Sequence, residues 1–158
     1  MRIREIQIED NTQIESLIKS IFIELKLPLV GTAYEDIETS QMFESYQEEK
    51  SIYFVIEENG TVKGGAGIKS MASDSRSICE LQKMYFSIDL RGKGQGQKLL
   101  SHCLKIAKMM GYKYCYIETL SVLETAIGLY KKNDFKVLGK PIGKTGYNAC
   151  SVWLLKTL

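Results

Sequence analysis

Leu81-Gln82-Lys83-Met84-Tyr85-Phe86-Ser87-Ile88-Asp89-Leu90-Arg91-Gly92-Lys93-Gly94-Gln95-Gly96-Gln97-Lys98-Leu99-Leu100 runs from an apolar strand, through a basic turn carrying three glycines, into the start of an apolar helix. That order is the sequence form of an anion cradle. Gly92, Gly94 and Gly96 let the backbone approach a bound group and turn its N–H groups inward, and the first turn of the following helix adds unpaired donors and the positive end of its dipole. A diphosphate suits such a turn. Spacing argues against two diphosphate carriers. A Walker A loop needs Gly-Lys-Ser/Thr, whereas Lys93 is followed by Gly94 and Lys98 is preceded by Gln97. A dinucleotide fingerprint needs its third glycine where Gln97 stands, and an acidic strand end about 20 residues further on.

Working outward, 158 residues suit one domain with a sizeable core, and 44% hydrophobic with 25% charged residues is the composition of an ordinary soluble globule. The net charge of +2 is too small, and its lysines and arginines too dispersed, to mark a nucleic-acid binder. Cys79, Cys103, Cys115 and Cys150 show no Cys-x-x-Cys spacing and His102 is the single histidine, so reduced thiols and no metal site are expected. The N-terminus has no apolar run of signal length, and nowhere do 18 apolar residues follow one another. A cytoplasmic protein without membrane attachment is the expectation.

Arg2 to Ile8 alternates like a half-buried strand, and Ile14, Leu17, Ile18, Ile21, Phe22 and Leu25 form one helical face that Pro28 closes. A second helix is predicted over Ile37 to Glu48. Asn59-Gly60 between two apolar runs predicts a hairpin with a type I′ turn. Beyond a serine-rich spacer come a strand (Ile78 to Phe86), a helix (Gly94 to Met110), a strand (Lys113 to Thr119), a short helix (Thr125 to Lys132) and two closing strands, Phe135 to Leu138 and Asn148 to Leu155. This order implies an α+β fold with a mixed sheet.

Arg91, Gly94 and Gly96 satisfy Arg/Gln-x-x-Gly-x-Gly/Ala, which resembles the acetyl-CoA signature of the GNAT superfamily of N-acetyltransferases. The preceding Glu-Leu-Gln-Lys-Met-Tyr-Phe strand looks like the family's fourth strand. Ala126-Ile127-Gly128-Leu129-Tyr130-Lys131-Lys132-Asn133-Asp134-Phe135 looks like its Ala-x-x-Leu-Tyr-x-x-x-Gly-Phe motif. The resemblance covers nearly the whole chain. It implies a mostly antiparallel sheet whose fourth and fifth strands splay apart, flanked by helices, with the pantetheine arm in the gap.

The same resemblance implies roles for residues. The backbone N–H of Met84 would donate to the thioester oxygen, the backbone at Tyr85 and Phe86 would pair with the pantetheine amides, and Arg91, Gly92, Lys93, Gly94, Gln95, Gly96 and Gln97 would hold the pyrophosphate. Tyr130 stands where the family's phenol meets the departing thiolate, and a phenol of pKa about 10 is matched to that task. A lysine-like amine is almost wholly protonated near neutrality, so a carboxylate base is expected. Glu80 occupies the register of the glutamate base in the histone-acetylating branch, on one strand face with Gln82 and Met84, and Glu118 on the next strand is its rival. His102 reads as a half-packed helix residue. Two departures stand out. Val122 and Leu123 occupy the region of a cofactor-binding asparagine, and Asp134 replaces the glycine before Phe135, though Asp tolerates a left-handed backbone.

The reading is acetyl transfer from acetyl-CoA to a primary amine by direct attack in a ternary complex. The amine would enter between the Pro28 to Tyr46 segment and the loop from Pro141 to Asn148, where Tyr34, Glu35, Asp36, Tyr46, Lys144 and Tyr147 stand. A non-catalytic CoA-binding module and a transferase of a longer acyl group are the alternatives. Trp153 on the last strand suits either the core or a homodimer interface.

Overall fold

The computed structural model describes residues 1–71 and 77–158, and the serine-rich spacer lies largely outside the described residues. The strands are β1 (Arg2–Glu5), β2 (Ile52–Glu58), β3 (Thr61–Ser70), β4 (Ile78–Phe86), β5 (Tyr114–Thr119), β6 (Lys136–Leu138) and β7 (Val152–Thr157). They form one sheet of order β1-β2-β3-β4-β5-β7-β6, antiparallel throughout except for the parallel pair β4·β5. The helices are α1 (Asn11–Glu24), α2 (Met42–Ser45), α3 (Gln95–Met109) and α4 (Glu124–Lys132). This is the expected α+β architecture. No helix among the described residues is long and apolar enough to cross a membrane.

Alternation along β2 sorts its residues onto two cores. Phe54 and Ile56 face Leu99, Leu100 and Cys103 of α3, while Tyr53 and Val55 face Ile14, Ile18 and Phe22 of α1. At the hairpin tip Asn59 (φ 52°) and Gly60 (φ 79°) both take positive φ, as a type I′ turn requires. α1, α3 and α4 end in the same way. Lys26, Gly111 and Asp134 adopt left-handed conformations, and the next residue returns its N–H to a carbonyl one turn back, as Leu27 does to Phe22, Tyr112 to Ala107 and Phe135 to Tyr130. Pro28 therefore follows a helix already closed at Lys26. Asp134 takes the left-handed backbone expected of it.

The second predicted helix is not continuous. Ile37–Ser40 forms a 3-10 turn and only Met42–Ser45 is α-helical, with Gln41 between them at φ −132°, ψ 46°. Side chains compete for the backbone here: Thr39 donates to the carbonyl of Ala33, Ser40 to Ile37 and Ser45 to Gln41. The closing strand also begins later than its pattern predicts, at Val152, because the residues before it are turned: the Asn148 N–H donates to the Gly146 carbonyl and the Cys150 N–H to the Tyr147 carbonyl.

Glycines in β3 are set by two tyrosines. A Cβ on Gly67 would drive into the ring of Tyr46, and one on Gly65 into that of Tyr53. Those rings carry hydroxyls that donate to Gln82 Oε1 (3.2 Å) and to the Lys83 carbonyl (2.8 Å). Gly67→Ala is expected to cost about 1–3 kcal/mol of stability, measured as a lowered urea midpoint at unchanged slope.

Candidate active site

β4 and β5 pair from Ile78↔Tyr114 to Glu80↔Tyr116 and no further. Beyond that point β4 keeps only β3 and β5 keeps only β7, so the sheet forks at Glu80. The gap is a cleft of about 920 Å³ running from Glu80 and Glu118 at the fork, past Met84 and Tyr130, to Gly92 and Gly94. The splay expected from the family resemblance is present. Every position given to the cofactor from the sequence lines this cleft except Lys93 and Gln95.

A β-bulge shapes one wall. Between Gly67↔Gln82 and Gly65↔Tyr85, the single residue Ala66 opposes both Lys83 and Met84, with Lys83 at φ 51°. The extra residue reverses the facing of the strand. Cys79 and Leu81 pack on the α3 side, but so do Met84 and Phe86, while Tyr85 turns to the α1 side. The expectation that Glu80, Gln82 and Met84 share one face is therefore corrected. Glu80 and Gln82 do face together, with Gln82 Nε2 donating to Glu80 Oε2 at 2.6 Å, and the bulge moves Met84 to the other side.

At the far end Gly92 (φ 72°) and Gly94 (φ 73°) have the left-handed backbone that favours glycine, and Gly94 is the residue that caps α3. A Cβ at either would meet nothing within 4 Å, so the space above the turn is open. Arg91 is committed elsewhere. Its Nε donates to the Phe86 carbonyl (3.0 Å) and its two terminal nitrogens to Glu24 at 2.6 and 3.0 Å, bracing the turn against α1. Gln97 exchanges amide hydrogen bonds with Asn133 at 2.7 and 2.8 Å, which joins the start of α3 to the end of α4. Lys93 and Lys98 are exposed.

Tyr130 is buried on α4, held by the helix-closing turn that packs Phe135 against its ring at 5.9 Å. Among the described residues its hydroxyl reaches one weak acceptor, Met84 Sδ at 3.9 Å. Burial, with the Cys115 thiol adding, pushes its pKa upward, so the phenol keeps its proton.

The two candidate carboxylates differ. Glu118 is occupied at both oxygens, by the Tyr116 hydroxyl (2.7 Å) and the Thr145 hydroxyl (2.6 Å), and so anchors the loop of residues 139–151. Glu80 is only 5% exposed. Burial lifts its carboxyl to about 7 against the opposing Gln82 hydrogen bond, and the charge of Glu118 adds to the rise. A carboxylate poised there exchanges protons near neutrality. His102 has the half-buried role expected of it, edge-on to Phe54 at 4.5 Å.

Beyond the fork lies a second cavity of about 600 Å³ that shares Thr32, Glu80, Gln82 and Tyr147 with the cleft. Both segments expected to receive an acceptor contribute to its lining, together with Glu48 and Lys69 to Met71, and Glu35, Asp36, Lys144 and Tyr147 line it. Tyr34 and Tyr46 do not. Tyr46 is buried in the α1-side core, and Tyr34 packs on Phe22. The sequence reading missed Lys83. Its ammonium, 1% exposed, donates to Asp36 Oδ2 (2.7 Å), Tyr147 Oη (2.9 Å) and Glu38 Oε2 (3.3 Å), so one strand residue ties both walls together. Burial opposes charge on Asp36, yet the Lys83 charge and its hydrogen bonds hold the pKa below the ordinary value. A lone lysine amid the apolar β4 sequence was the available signal.

The acetyltransferase (GNAT) family profile matches residues 13–135. The uncharacterized N-acetyltransferase YjgM of Escherichia coli K12 is 35% identical over 156 residues, covering 98% of this chain and 93% of that protein. Among solved structures, an acetyltransferase of the GNAT family from Staphylococcus aureus Mu50 superposes with a TM-score of 0.86 at 16% identity, over 99% of this chain and 98% of that one. The Salmonella typhimurium protein yncA, solved with its cofactor acetyl-CoA, gives 0.77 at 22% identity, over 99% and 93%. A forked sheet with a glycine turn at its open end, and a family match across most of its length, make this chain a member of the acetyltransferase (GNAT) family.

Proposed function

We propose that the protein transfers an acetyl group from acetyl-CoA to a primary amine within a ternary complex. The observation that carries this reading is the fork at Glu80: strands that part there open a cleft between a buried carboxylate and the N-terminus of α3. The residues present fit the cosubstrate. Gly92 and Gly94, at positive φ under open space, leave their amides free to approach a diphosphate, and the 15-residue helix α3 adds the positive end of its dipole. Acetyl-CoA supplies the activated acetyl thioester.

The chain's own groups do the rest. The bulge at Lys83 and Met84 breaks the β3·β4 ladder, which leaves the Met84 N–H to donate to the thioester oxygen as negative charge develops on it. Glu80 accepts a proton from the bound ammonium, directly or through water, and Tyr130 donates one to the departing thiolate. Glu118 positions the 139–151 loop. Arg91 braces the cradle through Glu24, leaving Lys93 and Lys98 to attract the anion from solution.

Calorimetry tests the cosubstrate and thiol release tests the transfer. CoA and acetyl-CoA should bind at least about 100-fold more tightly than ATP or NAD. Gly94→Glu, which forces a side chain and a negative charge onto a left-handed turn, should weaken acetyl-CoA binding by about 10-fold or more. Equal affinity for ATP would sink the reading, and so would acetyl-CoA binding without thiol release in the presence of amines.

A further inference from the structure

Lys83 combines a buried charge with a strained backbone. Its ammonium is 1% exposed, and at φ 51° it holds a left-handed conformation that residues bearing a side chain rarely adopt. Such a conformation persists only where the surroundings fix it, and here both ends of the residue are held. The Tyr53 hydroxyl donates to its carbonyl (2.8 Å), and its ammonium directs its three N–H groups to Asp36 (2.7 Å), Tyr147 (2.9 Å) and Glu38 (3.3 Å). The Tyr147 hydroxyl in turn donates to Asp36 Oδ2 at 2.9 Å. Lys83, Asp36 and Tyr147 thus close a ring of side chains drawn from distant parts of the chain.

This ring stands on the boundary between the two cavities. Lys83 lines the cofactor cleft, Asp36 and Glu38 line the second cavity, and Tyr147 lines both, as does Glu80. The two segments that the ring joins also meet through the backbone, where the Ala149 N–H donates to the Gly31 carbonyl at 3.3 Å. That bond lies ahead of Asp36 and beyond Tyr147, and leaves the spacing at those two residues to their side chains. Stability alone does not call for a lysine here, because exchanging a buried ion pair for apolar side chains of similar volume is often neutral or stabilising. An apolar contact lacks direction. Hydrogen bonds from one ammonium fix where Asp36 and Tyr147 stand relative to β4, and so shape the passage by which an amine meets Glu80.

Resting on the proposed acetyl transfer, we propose that Lys83 is a positioning residue for the acceptor: its buried ammonium holds the segment at Asp36 and the loop at Tyr147 at a fixed spacing beside Glu80, so that a bound amine is kept against the cofactor cleft. Lys83 touches no reacting atom in this role. Its effect reaches the acceptor through Asp36 and Tyr147.

The test uses the full chain with acetyl-CoA and butylamine, putrescine, lysine or trialanine, and follows thiol release with whichever amine reacts fastest in the parent. Two variants act on the ring. Tyr147→Phe keeps the aromatic side chain and removes the hydroxyl. Lys83→Met combined with Asp36→Asn removes both charges together, while Glu38 keeps Lys69 at 2.8 Å. The acceptor KM should rise about 3-fold in Tyr147→Phe and about 10-fold or more in the double variant, with kcat and acetyl-CoA affinity within about 2-fold of the parent. A purely structural ion pair would move the melting temperature and leave the acceptor KM alone. Unchanged acceptor KM in the folded variants therefore overturns the positioning role and leaves acetyl transfer standing. So does a fall in kcat at constant KM, which would place the effect at Met84, or an equal loss of acetyl-CoA affinity, which would place it in the fork as a whole. If the double variant does not fold, Tyr147→Phe decides by the same KM. Absence of thiol release with every amine in the parent overturns acetyl transfer and the positioning role together.

Discussion

Tyr130→Phe is expected to lower turnover by about 100-fold or more while leaving acetyl-CoA affinity and thermal stability nearly unchanged. The geometry makes this separation sharp. The hydroxyl contributes little to the fold, since its partner in the protein is a thioether sulfur at 3.9 Å, and the ring keeps its contact with Phe135 in the variant. What the variant removes is a proton donor that burial keeps protonated across the working pH range. Calorimetry, a melting curve and a thiol-release assay on the same preparation decide the matter. Loss of stability and cofactor affinity together would make Tyr130 a packing residue. Unchanged turnover would mean that solvent supplies the proton.

The parts of the site visible in the sequence are those built from local backbone chemistry. Three glycines between a strand and a helix need no partner from elsewhere in the chain to be read as a cradle, and Gly92 and Gly94 do take positive φ. Asp134 is of the same kind, a residue whose own chemistry permits the left-handed backbone that closes α4. The fork came from family resemblance instead. Nothing in the run from Cys79 to Phe86 states that pairing with β5 stops at Glu80. Likewise the bulge at Lys83 is set by β3, where the register skips Ala66, and by Tyr53, whose hydroxyl takes the Lys83 carbonyl. A strict period of two along β4 placed Met84 beside Glu80, and one inserted residue was enough to reverse that.

Long-range polar partners were the least legible features. The arginine of the signature looked like a phosphate ligand, yet Glu24, in α1 and 67 residues away, takes its guanidinium. Glu80 and Glu118 read as equals in sequence. Tyr116 and Thr145 separate them by occupying Glu118 from both sides, while burial at the fork singles out Glu80. Lys83 links Asp36 to Tyr147 across 111 residues of chain, a relation that hydrophobic pattern does not record.

Glu80→Gln should cost about 100-fold or more in kcat/KM at pH 7 and should change the shape of the pH profile. In the parent, rate should climb one decade per pH unit while Glu80 loses its proton, then level off above about 7, where the carboxylate is ready to take the proton of a bound ammonium. The variant must wait for amine that is already neutral, under about 0.1% of an amine of pKa about 10.4 at pH 7, so its rate should keep climbing toward pH 10. Stability should move in the opposite direction. The Glu80 carboxyl titrates near 7 folded and near its ordinary 4.5 unfolded, so the folded state binds more protons between those values. The penalty for charging it is absent below pH 4.5, grows as pH rises to 7, and above that is fully present at about 3 kcal/mol. Glu80→Gln removes that penalty and keeps an amide beside Gln82. The variant should therefore melt higher than the parent at pH 8 and about level with it at pH 4.5. Slower catalysis in a more stable protein cannot be assigned to unfolding. A variant with full activity, or one whose pH profile still levels off near 7, would instead leave Glu80 as a buried structural carboxylate and return the base to Glu118 or to water.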